Sequence, residues 1–442
     1  MKQRVKLTLL SLFVAQAFSA QAMTLADAYQ LALQRDAQLA SETAKLEASE
    51  QMPVQAKAQL LPQVTASIAA RDEGYQLPPS APYYPQARNF SERTNNRNIQ
   101  LTQAIVNQQA WTSLAQAELK FDYAKLRQAG IVNDLGLRVA EAYLNALLAQ
   151  ENQKLSVKQV ESTKKRLNQV KAALKHGYST KVDKLGLEAE LYDAKARVMS
   201  DEQQVVFYRQ KLAGLIGEAP PKSFTMPKID VDNFIQTLVF GQSWLDDVKE
   251  SNPSVQMSKV ATQVAEKEID VRQSAFYPTV NAGISYNTAE GATYFAQKNE
   301  DRVLFLEMRM PLYQGGYDTS RVTEGRALLK SAQEDVRYAE VQAVEQAQEQ
   351  LSNILANQKR VEALQQAIVS GQSYLASVEE GYRLGVRDIT EVSRAKEKLF
   401  NNKRDMVRAN IEVLNNVIQL YAVAGRLNAH AITQMSELLW RK

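Results

Sequence analysis

His176 and His430 are the only histidines in a chain of 442 residues that has no cysteine. Imidazole is the commonest metal ligand and the usual acid–base group near neutral pH, so a metal or proton-transfer site would be built around these two. They lie in opposite halves of the sequence, and neither belongs to a histidine cluster. His176 stands directly before Gly177, which suits the last turn of a helix better than a ligand. The chain carries no Gly-rich phosphate loop and no nucleophile elbow. The inventory gives no catalytic residue, no cofactor site and no metal site, so the chain is expected not to be an enzyme. Without cysteine there is also no disulfide frame, no thiolate metal site and no lipid-modified N-terminal cysteine. Trp111, Trp244 and Trp440 read as packing or interface anchors.

The elements that such a chain builds must then carry its function. Only 17 Gly and 12 Pro occur, which favours long helices. The N-terminus reads as a removable leader over residues 1–22. Lys2, Arg4 and Lys6 form a basic start, an apolar stretch follows, and Ala20-Gln21-Ala22 fits the small-x-small cleavage rule. Its removal takes three positive charges from a net +4, which leaves the mature chain nearly neutral and gives no argument for nucleic acid. No later stretch approaches the ~18 continuous apolar residues of a membrane helix.

Within this helical background "LLPQVTASIA" at 60–69 alternates apolar and polar residues after a proline, the period of a strand. "FYPTVNAGIS" at 276–285 repeats it, and three further blocks follow in the same order at a spacing of about 210 residues, the mark of an internal duplication. "NIQLTQAIV" at 98–106 and "VLFLEMRMPL" at 303–312 add a second strand to each copy. The proline-rich and polar stretch between the first two strands is expected to form no regular structure. The expected division is a first repeat at 23–217, with strands near 62–72 and 97–106 and a helical hairpin at 108–216. A linker follows at 218–236. The second repeat is 237–426, with strands near 278–288 and 302–312 and a hairpin at 316–425. A C-terminal segment covers 427–442.

A heptad stripe through Leu135, Val139, Ala142, Ala146, Ala149, Ser156, Thr163, Leu167 and Val170 recurs through Ala347, Ile354, Val361, Leu364, Leu375 and Val378, which is coiled-coil spacing. The helix expected from residue 108 to 176 would be roughly 100 Å long. Those at 24–60 and 179–214 are each about half as long, and would stack end to end beside it. Strands of about ten residues suit a bilayer crossing. Four cannot close alone, and an open edge in lipid is not tolerated, so several chains must share one barrel. Three would supply twelve strands. Parity then places Val280, Ala282, Ile284, Leu304, Leu306 and Met308 on the lipid face. Arg71 to Glu73 would mark where the first strand leaves the bilayer, and Tyr75, Tyr83 and Tyr84 belong either to an aromatic belt or to a loop.

With "MPLYQGG" at 310–316 and "GYRLGVRDITEVSRAKEKL" at 381–399, these features resemble the TolC family of outer-membrane efflux and secretion proteins over essentially the whole mature chain. The fold class implied is mostly α with a membrane β-barrel: a duplicated repeat whose helical hairpins form a periplasmic α-barrel under a twelve-stranded outer-membrane barrel of a homotrimer. The implied function is export of proteins or small molecules, in outer-membrane lipid. The implied partners are a periplasmic adaptor (membrane fusion) protein and an inner-membrane ABC or proton-driven transporter. Lacking an anchoring cysteine, the chain looks more like the type I secretion branch than the lipid-anchored drug-efflux branch. The resemblance further implies that the two helix–helix turns form the periplasmic entrance, with Gly177, Tyr178, Ser179, Gly385 and Val386 meeting the adaptor. It assigns Asp183, Tyr382 and Arg387 to a latch, and Glu391 and Arg394 to the lumen just inside, where the family often has two acidic rings. Val182 stands where the family has a hydroxyl residue. Read from position alone, the same charges only solvate a turn. A soluble periplasmic coiled-coil adaptor would share the long hairpins, but not two strand pairs with outward apolar faces.

Overall fold

The computed structural model describes residues 23–77, 88–221, 223–224, 226–227, 231–238, 243–291 and 299–440. The expected leader, and Tyr83 and Tyr84, lie outside the described residues. The first half runs α1 (Leu25–Arg35), α2 (Ala37–Ala58), β1 (Gln63–Leu77), β2 (Arg88–Val106), α3 (Gln108–Lys175) and α4 (Lys181–Ile216). Two short helices follow, α5 (Val231–Leu238) and α6 (Ser243–Ser251). The second half continues as α7 (Pro253–Gln273), β3 (Thr279–Gly291), β4 (Asn299–Arg309), α8 (Tyr317–Arg383), α9 (Ile389–Val423) and α10 (Ala429–Trp440).

The helix expected before the first strand is two helices. Asp36 leaves helical geometry, and its carboxylate accepts from the Leu39 amide at 2.8 Å, capping α2. Arg138 of α3 holds the same carboxylate at 3.1 Å. The joint recurs between α6 and α7, where Asn252 accepts from the amides of Ser254 and Val255 at 2.9 and 3.1 Å and Pro253 starts the helix. The stretch expected as a plain linker contains α5 and a docked aromatic. The Phe224 amide donates to Gln150 and its carbonyl accepts from Gln150, both at 2.6 Å, while its ring meets Tyr143 edge-on at 5.3 Å.

The two long helices, 68 and 67 residues, set the length of the molecule. In the half carrying the tips, the neighbours run α4, α3, α9, α8. In the half nearer the sheet they run α2, α3, α7, α8. The heptad positions Leu135, Val139, Ala142 and Ala146 of α3 are buried in the main core with Leu25, Ile216, Leu414 and Ile418. A smaller core near the tips joins both hairpins through Leu167, Val170, Leu187, Val378, Ile389 and Val392.

The four strands make one antiparallel sheet in the order β1-β2-β3-β4. All four strands run past their expected loop-side ends: β1 to Leu77, β2 from Arg88, β3 to Gly291 and β4 from Asn299. Pro78, Pro79, Pro82 and Pro85 all fall outside the described residues, and the flanks on either side of them contain no proline. Those flanks pair regularly, with Asp72 opposite Arg93. β4 stops at Arg309, just before Pro311.

Candidate functional site

Two surfaces carry chemistry that a scaffold does not need: the hairpin tips and the sheet. At the first tip α3 ends on Gly177 in the left-handed region (φ +78°), and the Tyr178 amide donates to Ala173 O at 2.9 Å. Thr180 then caps α4. Its hydroxyl accepts from the Asp183 amide at 3.1 Å, and its amide donates to the Asp183 carboxylate at 2.9 Å. Ser179 adds a hydroxyl donor at 3.0 Å. Burial pushes the Asp183 carboxyl up, but the hydrogen bonds from Thr180 and Ser179 outweigh it and hold it below its ordinary range.

The second tip turns on Gly385 (φ +74°), and Asp388 caps α9 by accepting from the Glu391 amide at 2.7 Å. Arg387 does not meet Asp183 within the chain. Its guanidinium donates to both Glu391 oxygens at 3.0 and 3.2 Å, and the Tyr374 hydroxyl donates to the same carboxylate at 3.1 Å. The i,i+4 spacing explains this, because Glu391 is one turn away on the helix that Arg387 enters. Tyr382 packs beside the tip core. Burial first, and the charge of Asp183 second, raise its hydroxyl above the ordinary tyrosine value, yet no hydrogen bond joins the two. Of the three latch residues, then, Tyr382 and Asp183 share an electrostatic neighbourhood and Arg387 is held elsewhere. Arg394 is exposed one turn beyond Glu391, so the local balance is not acidic. Gly177, Tyr178, Ser179, Gly385 and Val386 lie in the two turns. Tyr178, Val182, Leu384 and Val386 are all exposed there, an apolar cap that Val182 and Leu384 extend beyond the residues expected.

Sequence reading missed the links between hairpins. Arg166 of α3 is buried, donates to Ser393 of α9 at 2.7 Å, and pairs with Glu190 of α4. Arg404 of α9 holds the buried Asp201 of α4 through two bonds of 3.1 Å and reaches Ser156 of α3 at 3.3 Å. A signal existed: Ser156 and Thr163 are hydroxyls on an otherwise apolar heptad stripe, and buried hydroxyls require partners.

The sheet separates its faces by parity. The row Val64–Leu101–Ile284–Leu304 crosses all four strands, with Ala282–Leu306 and Val280–Met308 beside it. Leu304, Leu306 and Met308 are 83, 73 and 65% exposed and Ile284 is 51% exposed, so this apolar face lacks a partner in a single chain. Val280 and Ala282 lie on it but are partly covered. The other face carries Thr65, Ser67, Asn98, Gln100, Thr102, Asn281, Ser285 and Asn287. A bulge between Ala104 and Val106 places Val106 opposite Val280, where unbroken alternation would have placed Ile105.

Neither edge of the assembly is paired. β1 and β4 are the sheet's outer strands. Along α4, the helix on the β1 side, Leu185, Tyr192, Met199 and Val206 repeat every seven residues and are exposed. Along α8, on the β4 side, Val341, Leu355 and Val369 repeat every two heptads and are also exposed. Among the described residues no group of His, Asp and Glu could hold a metal, and no helix is long and apolar enough to cross a membrane.

Comparison with known proteins agrees with this architecture. The chain is 24% identical over 440 residues to outer membrane protein TolC of Vibrio cholerae, covering 97% of this chain and 98% of that protein. It is 22% identical over 430 residues to the proteases secretion protein PrtF of Dickeya chrysanthemi, covering 95 and 91%. The fold matches that of the Campylobacter jejuni CmeC outer membrane channel with a TM-score of 0.77 at 14% identity, covering 96 and 91% of the two chains. The family model described as outer membrane efflux protein matches residues 28–218 and 244–426. With both halves of the chain matched in this way, the protein belongs to the outer membrane efflux protein family, the family of TolC.

Proposed function

We propose that three copies of this chain close into one outer-membrane channel that exports cargo through a periplasmic helical tunnel. The observation that carries the reading is the pair of open edges: a lipid-compatible sheet ending in unpaired β1 and β4, above helices whose outer stripes are apolar on the same two sides. An open edge is untenable in lipid, and a head-to-tail contact between unlike edges generates a closed ring. Two copies would give eight strands, whose interior fills with side chains, whereas three give twelve and leave room for water. The duplicated division of the chain, with repeats at 23–217 and 237–426 around a linker at 218–236, supplies each copy with two strand pairs and two hairpins.

The tips are the entrance. The exposed Tyr178, Val182, Leu384 and Val386 offer an apolar docking cap to a periplasmic adaptor, behind which an inner-membrane transporter delivers cargo. When the entrance is shut, Asp183 takes Arg387 of the neighbouring copy, which exchanges Glu391 for that partner, and Tyr382 of its own chain, which already lies beside it. PrtF is named for protease secretion, and that relationship favours a type I secretion assignment here. Loss of this chain would then abolish secretion of a protein substrate and leave drug sensitivity unchanged. The opposite pattern assigns it to drug efflux. Size analysis in detergent tests the assembly: a trimer is expected, and a monodisperse monomer that keeps its β-structure would refute the shared barrel.

A further inference from the structure

On the polar face of the sheet Phe305 of β4 has a specific placement. It is the one residue of β4 that is half-buried, the others being exposed. Its ring crosses to Gly283, its register partner on β3. A methyl group at Gly283 would run into Phe305 Cζ, would come within 2.7 Å of Cε1, and would lie 2.6 Å from Leu101 O of β2. Glycine is thus required, both by the close approach of β2 and to leave a recess for the ring. Along β3, Gly283 and Ser285 are buried while Ile284 and Tyr286 on the opposite face are exposed, so here the polar face is the more covered one. Around the ring the face carries the amides and hydroxyls of Gln100, Thr102, Asn281 and Ser285, and on the other side of Phe305 along β4 the Glu307 carboxylate, which pairs with Arg309. Val303, two residues along β4, is the apolar neighbour on the same face. The wall therefore holds an apolar patch in a wet polar surface, pinned flat instead of projecting.

Resting on the trimeric channel reading, we propose that Phe305 with Val303 is a contact site on the inner barrel wall for the flat apolar face of a passing solute, planar aromatics being the ligand class. A ring held against the backbone has lost its rotamer freedom in advance, so stacking on it costs little ordering. Amides beside it supply hydrogen bonds for polar substituents. Three copies place three such patches at one height in the lumen.

The test uses purified full-length trimers in planar bilayers, with 9-aminoacridine added from the barrel side so that the probe need not pass the helical tips. Tetraethylammonium, a cation without a ring, controls for charge. Wild type is expected to show discrete blockades by the aromatic probe, and Phe305→Ser to shorten their dwell time about two- to tenfold, the range of an aromatic pair, with tetraethylammonium unchanged. Gly283→Ala, which moves the ring from its recess, is expected to change the same dwell time. Equal dwell times in wild type and Phe305→Ser, or equal effects on both cations, overturn the wall site. Wild-type protein that forms no conducting oligomer overturns the channel reading and the wall site with it.

Discussion

Glu391 holds Arg387 through an exposed i,i+4 pair, a contact of about 0–1 kcal/mol that is readily exchanged for a better carboxylate. Asp183 is such a carboxylate, because the first turn of α4 already keeps it ionised. Replacing Arg387 by Ser together with Tyr382 by Phe should leave the trimer folded and raise its resting single-channel current. An unchanged current would reduce the tip charges to a solvated turn. The cap itself makes a pH prediction. The folded carboxyl of Asp183 titrates below its unfolded value, so its contribution is complete above the unfolded value near 3.9 and is lost as pH falls through the lower folded value. Below about pH 4 the start of α4 should fray, as read by amide exchange. Asp183→Asn, which keeps a side-chain oxygen for the Thr180 amide, should remove that pH dependence. At this scale the sequence was a partial guide. Tip residues are legible because a glycine turn followed by a capping residue is local. The partners of Arg387 and Arg166 are not, since each guanidinium selects among carboxylates by three-dimensional distance.

Among elements, the strands were the most readable, because a period of two needs only neighbours in sequence. Their ends were not. The prolines at 78–85 predict an irregular loop, but the residues flanking them pair as strand, and the break at Asp36 is a single capping residue inside an otherwise helical pattern. The face assignment makes a direct prediction. Leu306→Arg puts a charge on the apolar face, at a cost of about 2–4 kcal/mol near the bilayer midplane, and should impair membrane assembly. Thr102→Arg lies on the polar face and should assemble with altered conductance. Equal tolerance at both positions, scored by trimer yield, would refute the facing. The links between hairpins belong here too. Asp201 is buried beneath Arg404, so Asp201→Ala strands a guanidinium and should cost about 3–5 kcal/mol in denaturant unfolding. Removing the exposed Arg337–Glu334 pair should cost less than about 1 kcal/mol.

For the whole molecule, the duplication and the coiled-coil repeat made the architecture legible at a distance: two hairpins, two strand pairs, and a length set by α3 and α8. The exposed stripes on α4 and α8 are not legible in the sequence, because a heptad series names a buried face without saying which of two such faces the same chain covers. Those edges are unlike one another, and in the proposed ring every link joins the β1 side of one copy to the β4 side of the next. A subunit with one ruined edge can still accept a neighbour on the other, and so it acts as a chain terminator and not as a bystander. If a fraction f of subunits carries Leu185→Glu and Tyr192→Glu on α4, a three-membered ring survives only when all its members are sound, in proportion to the cube of 1 − f. Coexpression with wild type in equal amounts should therefore leave about one-eighth of the channels, a steeper loss than half, and the poisoned subunits should exert dominance in a cell that still makes a normal copy.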